Sequence, residues 1–164
     1  NVIGGGDWAP NRLVPDCLRA ASDEVPLRLR NPDAVRPWQY VLDPLAGYLR
    51  LAQALDRPDG RDFEGAWNFG PDEGQPVTVE EIAREVFCAW GSPNAIQTVR
   101  EKPTLAEAGL LSLDSSRARD RLGWLSCCGL SEAVNETVRW HRAWLNGDDM
   151  GAWCRQQIHR YQER

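Results

Sequence analysis

Arg36-Pro37-Trp38-Gln39-Tyr40-Val41 is the stretch on which the reading of this 164-residue chain turns. The proline biases Arg36 toward extended or polyproline-like backbone, and a period of two then sets Arg36, Trp38 and Tyr40 on one side. A guanidinium beside two rings has two readings. Either it grips an anion while the aromatics cover a ring, or it is an arginine packed on tryptophan as part of the fold. Directly after it, Leu45, Tyr48, Leu49, Ala52 and Leu55 repeat at helical spacing. A helix is therefore expected from Asp43 to Leu55, with Asp43 as N-cap and Pro44 at the first helical position.

Upstream, Asn1-Val2-Ile3 reads as the end of a strand running into Gly4-Gly5-Gly6, as in a chain entered mid-domain. Leu13, Cys17, Leu18 and Ala21 then predict a helix over 11–22 with Asn11 as N-cap. Arg12 sits at the start of that helix, where free backbone N–H groups favour an anion; the competing reading is a solvated surface arginine. Leu27-Arg28-Leu29-Arg30 alternates apolar and charged residues and reads as a short strand with one face buried, followed by a turn at Asn31-Pro32-Asp33.

Downstream of a polar loop at 57–62, residues Ala66 to Pro71 are expected as a short strand ended by a turn. Asn68 at its end has two roles open to it, an amide toward a ligand or a cap on the turn. Thr78 with Glu81 has the spacing of a capping box, and Val79, Ile82, Ala83, Val86, Phe87 and Trp90 follow the helical period. Further strands are expected at 95–99 and 110–113. A short helix capped by Asp114-Ser115-Ser116 ends at Gly123, and Leu122-Gly123-Trp124 makes a buried corner. A longer helix opens at Ser131 and stops at Gly147, and another runs from Met150 to Tyr161. His141 and His159 lie on different helices with no ligand pattern around them, so both are read as structural or solvent-facing and no metal is expected.

Composition bounds the function. The length suits one domain, 1–164, burying roughly 70% of the surface of the unfolded chain. Eight tryptophans predict a substantial core and leave room for an exposed apolar face, while a net charge of −5 and a pI near 5.1 argue against a general nucleic-acid binder. The five cysteines are odd in number and lack zinc spacing, which suits free thiols in a reducing cytoplasm. No apolar run approaches the ~20 residues of a membrane span, and no secretory signal is present in the sequence, so a cytoplasmic location is expected.

Seven short stretches, taken together, resemble the C-terminal part of the extended short-chain dehydrogenases/reductases that act on nucleotide sugars. They are Asn1 to Trp8, Arg12 to Asp16, Arg30 to Pro32, Arg36 to Gln39, Leu42 to Leu49, Asn68 to Pro71 and Leu122 to Trp124. Within that superfamily the Gly-Asp-Trp and Arg-Pro-Trp-Gln elements are similar to the CDP-glucose 4,6-dehydratase family rather than its dTDP-glucose, GDP-mannose and UDP-sugar relatives. The resemblance implies an α/β fold, mainly the small mixed substrate-binding lobe of a Rossmann-type enzyme, with the dinucleotide-binding core largely absent.

It also implies a tightly held NAD, a possible homodimer of the full-length enzyme, and a role in deoxysugar and lipopolysaccharide O-antigen biosynthesis. In that family the full-length enzyme oxidises C4 of CDP-glucose, eliminates water across C5 and C6 and returns hydride to C6. The resemblance gives Asn1, Arg12, Arg36 and Asn68 places around the nucleotide diphosphate, with Arg36 as its clamp. The family commonly has histidine where this chain has Tyr40, and Lys102 to Gly109 matches loosely. The glycine-rich turn, the Tyr-x-x-x-Lys pair and the acid/base carboxylates of the family all belong before Asn1, so no catalytic residue is expected here. The chain alone is expected to be inactive and, with a sheet edge open, prone to aggregate. A non-catalytic nucleotide-sugar-binding or structural module, and the same lobe of another nucleotide-sugar dehydratase or epimerase, remain the alternatives.

Overall fold

Thr78 begins the helix that anchors the core, and it does so as its sequence dictates. Its hydroxyl accepts from the Glu81 amide at 3.2 Å while Glu81 Oε2 accepts from the Thr78 amide at 2.7 Å, completing the capping box. The helix, α3 (Val79–Trp90), buries Ile82, Ala83, Val86 and Phe87 completely and ends at Gly91 with φ +88°. At that φ a side chain would be strained, which is why glycine terminates the helix.

The computed structural model describes residues 1–29, 31–71, 76–92, 96–98 and 109–164, with 96–98 described by backbone alone. In chain order the described elements are β1 (Val2–Ile3), α1 (Leu13–Ser22), β2 (Leu27–Leu29), β3 (Gln39–Tyr40), α2 (Leu42–Leu55), a 3-10 turn (Gly60–Phe63), α3, β4 (Ile96–Thr98), α4 (Ser116–Leu122), α5 (Leu130–Leu145) and α6 (Met150–Gln162). β1 pairs in parallel with β3, and β2 in parallel with β4. The main core lies where α3 packs between α1 and α5. Cys17 and Leu18 from α1 meet Phe87 and Val86 from α3 and Val134 and Val138 from α5, and Ile3, Trp38 and Tyr40 join from the first sheet. Each fully buried side chain of this size contributes roughly 1.5–3 kcal/mol by leaving water. A second cluster, Phe69, Ala118 and Trp124, forms where α2 meets α4, and Gly47 admits the Phe69 ring there, since a Cβ at Gly47 would lie 2.3 Å from it.

Several sequence expectations need correction. α1 starts at Leu13 with Arg12 as N-cap, because Asn11 takes φ 62° and cannot open the helix. Asp43 does not cap α2; it lies inside the helix, fully buried, while Val41 is the N-cap. Residues 66–71 and 111–113 form no strand. Leu110 contributes a single bridge to Val35, and the 66–71 segment is tied down by side chains instead. Arg30 and 102–108 lie outside the described residues.

Candidate functional site

The parallel pairing of β1 with β3 is what brings Asn1 beside the Arg36 stretch. Gln39 N donates to Asn1 O at 2.9 Å, Val41 N donates to Ile3 O at 2.8 Å, and the nitrogen of Asn1 donates to Pro37 O at 2.7 Å. On the other side of Arg36, Val35 is fixed by bridges to Thr78 and Leu110 and exchanges hydrogen bonds with Gly109 and Leu111. Arg36 is thus held between a short parallel sheet and a bridged residue, and its guanidinium donates to Val35 O at 2.8 Å.

A cavity of about 730 Å³ opens over this junction. Its apolar walls come from α1 (Leu13, Val14, Leu18) and β2 (Leu27, Leu29), and Trp38 lines it as well. Its polar groups include Asn1, Arg12 and Arg36, three of the four residues singled out from the sequence. Arg12 Nη1 pairs with Asp7 Oδ2 at 3.2 Å, an exposed contact of the kind worth about 0–1 kcal/mol. The first-turn amides of Leu13 and Val14 have no intrahelical acceptor, and both residues line the cavity. The arrangement suits an anion with a planar or apolar end: guanidinium and amide donors at one side, aliphatic and indole surface at the other.

Arg28 and Asn31 also line the cavity, and the reading of the sequence missed them as site residues. β2 alternates, with Leu27 and Leu29 buried and Arg28 exposed, and since all three residues line the cavity the alternation alone carries no signal for Arg28. Asn68 lies apart. Its Nδ2 donates to Asp114 O at 3.2 Å, closing the 66–71 segment onto the start of α4, and Gly70 N donates to Ser115 Oγ at 2.8 Å beside it. Tyr40 turns into the core, so of the two rings expected beside Arg36 only Trp38 reaches the cavity. Trp38 Nε1 and Gln39 Oε1 are buried without a hydrogen-bond partner, at a cost of about 1–3 kcal/mol each.

Gly4, the first of three consecutive glycines, also lines the cavity. A Cβ at Gly4 would lie 2.6 Å from Val41 Cγ1, and one at Gly5 would lie 2.1 Å from the Trp140 ring, so these glycines permit close packing. Among the described residues no group of His, Cys, Asp and Glu is placed to hold a metal.

Solved structures similar to this one share its fold. A UDP-glucose 4-epimerase from Stenotrophomonas maltophila, solved with NAD and a formylated UDP-arabinopyranose, matches with a TM-score of 0.74 at 21% identity, covering 90% of this chain and 47% of that one. A dTDP-glucose 4,6-dehydratase from Bacillus anthracis, solved with NAD, matches at 0.70 and 20% identity over 87% of this chain and 42% of that one. The fold is that of the dehydratases and epimerases of the extended short-chain dehydrogenase/reductase class. In sequence, the chain is similar to CDP-glucose 4,6-dehydratase of Salmonella typhimurium, with 42% identity over 161 residues, 98% of this chain and 44% of that protein. The resemblance carried by the seven short stretches thus holds along the chain, which spans less than half the length of these relatives. No protein-family model matches the chain. Among the described residues no helix is long and apolar enough to cross a membrane.

Proposed function

We propose that this chain is the nucleotide-sugar-binding portion of a CDP-glucose 4,6-dehydratase, a lyase that in its full-length, NAD-dependent form converts CDP-glucose to CDP-4-keto-6-deoxyglucose and water. The observation that carries the reading is the cavity that gathers Asn1, Arg12 and Arg36, and the identity to the Salmonella enzyme supports the choice of nucleotide. Arg36 meets the diphosphate as a fork of charged donors, Arg12 exchanges its weak pairing with Asp7 for phosphate, and the open amides at the start of α1 add to the same charge. Leu13, Leu27, Leu29 and Trp38 supply apolar surface for the base and ribose. Asn68 serves only a part of the ligand extending beyond this cavity. NAD, which accepts and returns the hydride in such enzymes, is held mainly outside this chain. The chain alone binds without turnover, and the full-length enzyme works as a cytoplasmic homodimer in deoxysugar and O-antigen synthesis.

Calorimetric titration of CDP-glucose into the chain and its Arg36→Ala variant tests this, with UDP-, dTDP- and GDP-sugars alongside. Loss of a charged hydrogen-bonding group is worth about 1.5–3 kcal/mol, so Arg36→Ala is expected to weaken binding about 10- to 100-fold. Unchanged affinity in Arg36→Ala, or no binding by a folded wild-type chain, overturns the site; a preference for another nucleotide moves the chain to another dehydratase or epimerase.

A further inference from the structure

Two carboxylates, Asp7 and Asp16, line the cavity that gathers Asn1, Arg12 and Arg36. Beside a diphosphate each of them repels the ligand, unless it meets a part that donates hydrogen bonds. Asp7 is occupied at both oxygens: Oδ1 accepts from Ala9 N at 3.0 Å and Oδ2 from Arg12 Nη1 at 3.2 Å. Asp16 differs. Arg19, which is not among the lining residues, donates through Nη2 to Asp16 Oδ1 in an ion pair, and among the described residues Oδ2 takes no hydrogen bond. The Asp16 side chain is 36% exposed, so that oxygen is left to a ligand. Its place along α1 decides which part of the ligand it meets. Asp16 stands four residues, about 6 Å along the axis, beyond Arg12 at the helix start, and it shares a face with Leu13. Leu13, with Leu27 and Leu29, belongs to the apolar wall that takes the base and ribose.

We propose that Asp16 Oδ2 accepts a hydrogen bond from the 4-amino group of cytosine, and that Asp16 thereby selects CDP-sugars against UDP- and dTDP-sugars. The inference rests on the proposed function and names the residue that sets its choice of base. Cytosine carries an amino donor at the position where uracil and thymine carry an oxygen acceptor, and a carboxylate is a natural acceptor for that donor. Facing uracil, Asp16 would set acceptor against acceptor and leave both unpaired, so discrimination comes as much from rejecting the wrong base as from holding the right one. Arg19 serves this role from behind: it holds one carboxylate oxygen, orients the other and offsets the charge that would act on the diphosphate. The competing account makes Asp16 only a first-turn acid that suits the dipole of α1, and it would then treat all pyrimidine nucleotides alike.

The test is calorimetric titration of CDP, UDP and dTDP into the wild-type chain, Asp16→Asn and Arg19→Gln, with circular dichroism and melting temperature recorded for each. The wild type is expected to prefer CDP over UDP about tenfold or more. Asp16→Asn, whose amide can turn to accept from cytosine or to donate to uracil, is expected to bring the two within about threefold, chiefly by gaining UDP. Arg19→Gln, which keeps the carboxylate, retains the preference. A second measurement needs no variant: the diphosphate of the pyrimidin-2-one nucleoside, which lacks the 4-amino group, is expected to bind the wild type about tenfold or more weakly than CDP. Equal binding of that compound and CDP overturns the assignment, as does a CDP preference unchanged in Asp16→Asn or lost equally in Arg19→Gln. Those results leave the proposed function standing, because binding persists. A folded wild-type chain that takes none of the nucleotides sinks the nucleotide reading itself, and the role of Asp16 with it.

Discussion

Asp43 is a fully buried carboxylate satisfied by neutral donors: Tyr161 OH at 2.8 Å and Cys127 N at 3.0 Å on Oδ1, and Ser126 Oγ at 2.7 Å on Oδ2. Its carbonyl accepts the Trp124 indole N–H at 3.0 Å. One residue thereby ties α2 to the 124–128 loop and to the end of α6. Asp43→Ala leaves buried donors without an acceptor and should cost about 3 kcal/mol or more in urea unfolding, against about 1 kcal/mol for Tyr161→Phe, which keeps the ring and removes one hydrogen bond. An Asp43→Ala cost no greater than that of Tyr161→Phe would mean that the clasp is unimportant. Gly5 is a second such position: a Cβ there enters the Trp140 ring, so Gly5→Ala should destabilise by about 1–3 kcal/mol on the same measurement. The sequence showed neither role. Asp-Pro at the start of an apolar period reads as an N-cap, and only the return of the chain more than eighty residues later supplies Asp43 with partners.

Among the elements, α6 is held mainly by polar contacts, since Gln157 is its only buried residue among those described. Glu136 of α5 accepts from Gln157 Nε2 at 2.9 Å and from Arg160 at 2.9 Å, and Arg139 pairs with its other oxygen at 3.2 Å. Burial works to raise the Glu136 carboxyl, but the bonds from Gln157 and Arg160 prevail and hold it below the usual carboxylate value. Its support for α6 is therefore complete above about pH 4.5 and is lost only as pH falls through the lowered folded value. Glu136→Ala should cost about 2–3 kcal/mol and selectively speed amide hydrogen exchange in α6; uniform exchange across the chain would refute a local role. The helices themselves were legible in the sequence because capping, glycine stops and the 3.6-residue period act locally, as Thr78, Gly123 and Gly147 illustrate. The strands were less so. Two- and three-residue parallel strands carry little pattern, and residues 66–71 look strand-like yet are fixed by the Trp67 and Asn68 side chains. The grouping of Asn1 with Arg36 depends on the β1–β3 register, so resemblance implied it and local pattern did not.

For the molecule as a whole, acidity acts on solubility and on stability through different groups. The net charge of −5 at neutrality falls toward zero near pH 5.1, which removes the repulsion that keeps an exposed apolar stripe from self-association. Stability begins to fall earlier, because His141 is buried against Trp8, Trp90 and Trp144, with Arg19 contributing its field. Burial first, and Arg19 second, lower its pKa below 6.5. A group that the fold keeps neutral stabilises fully above its unfolded value; that contribution declines as pH drops below 6.5 and stops declining beneath the lowered folded value. Arg19 itself is engaged by Asp16 in a direct ion pair. The urea midpoint of the wild-type chain should therefore be flat from about pH 8 to pH 6.5 and decline below pH 6.5, whereas His141→Gln should be less stable at pH 8 yet show a shallower decline. Parallel declines in the two proteins would assign the acid sensitivity to the carboxylates and leave His141 as packing alone.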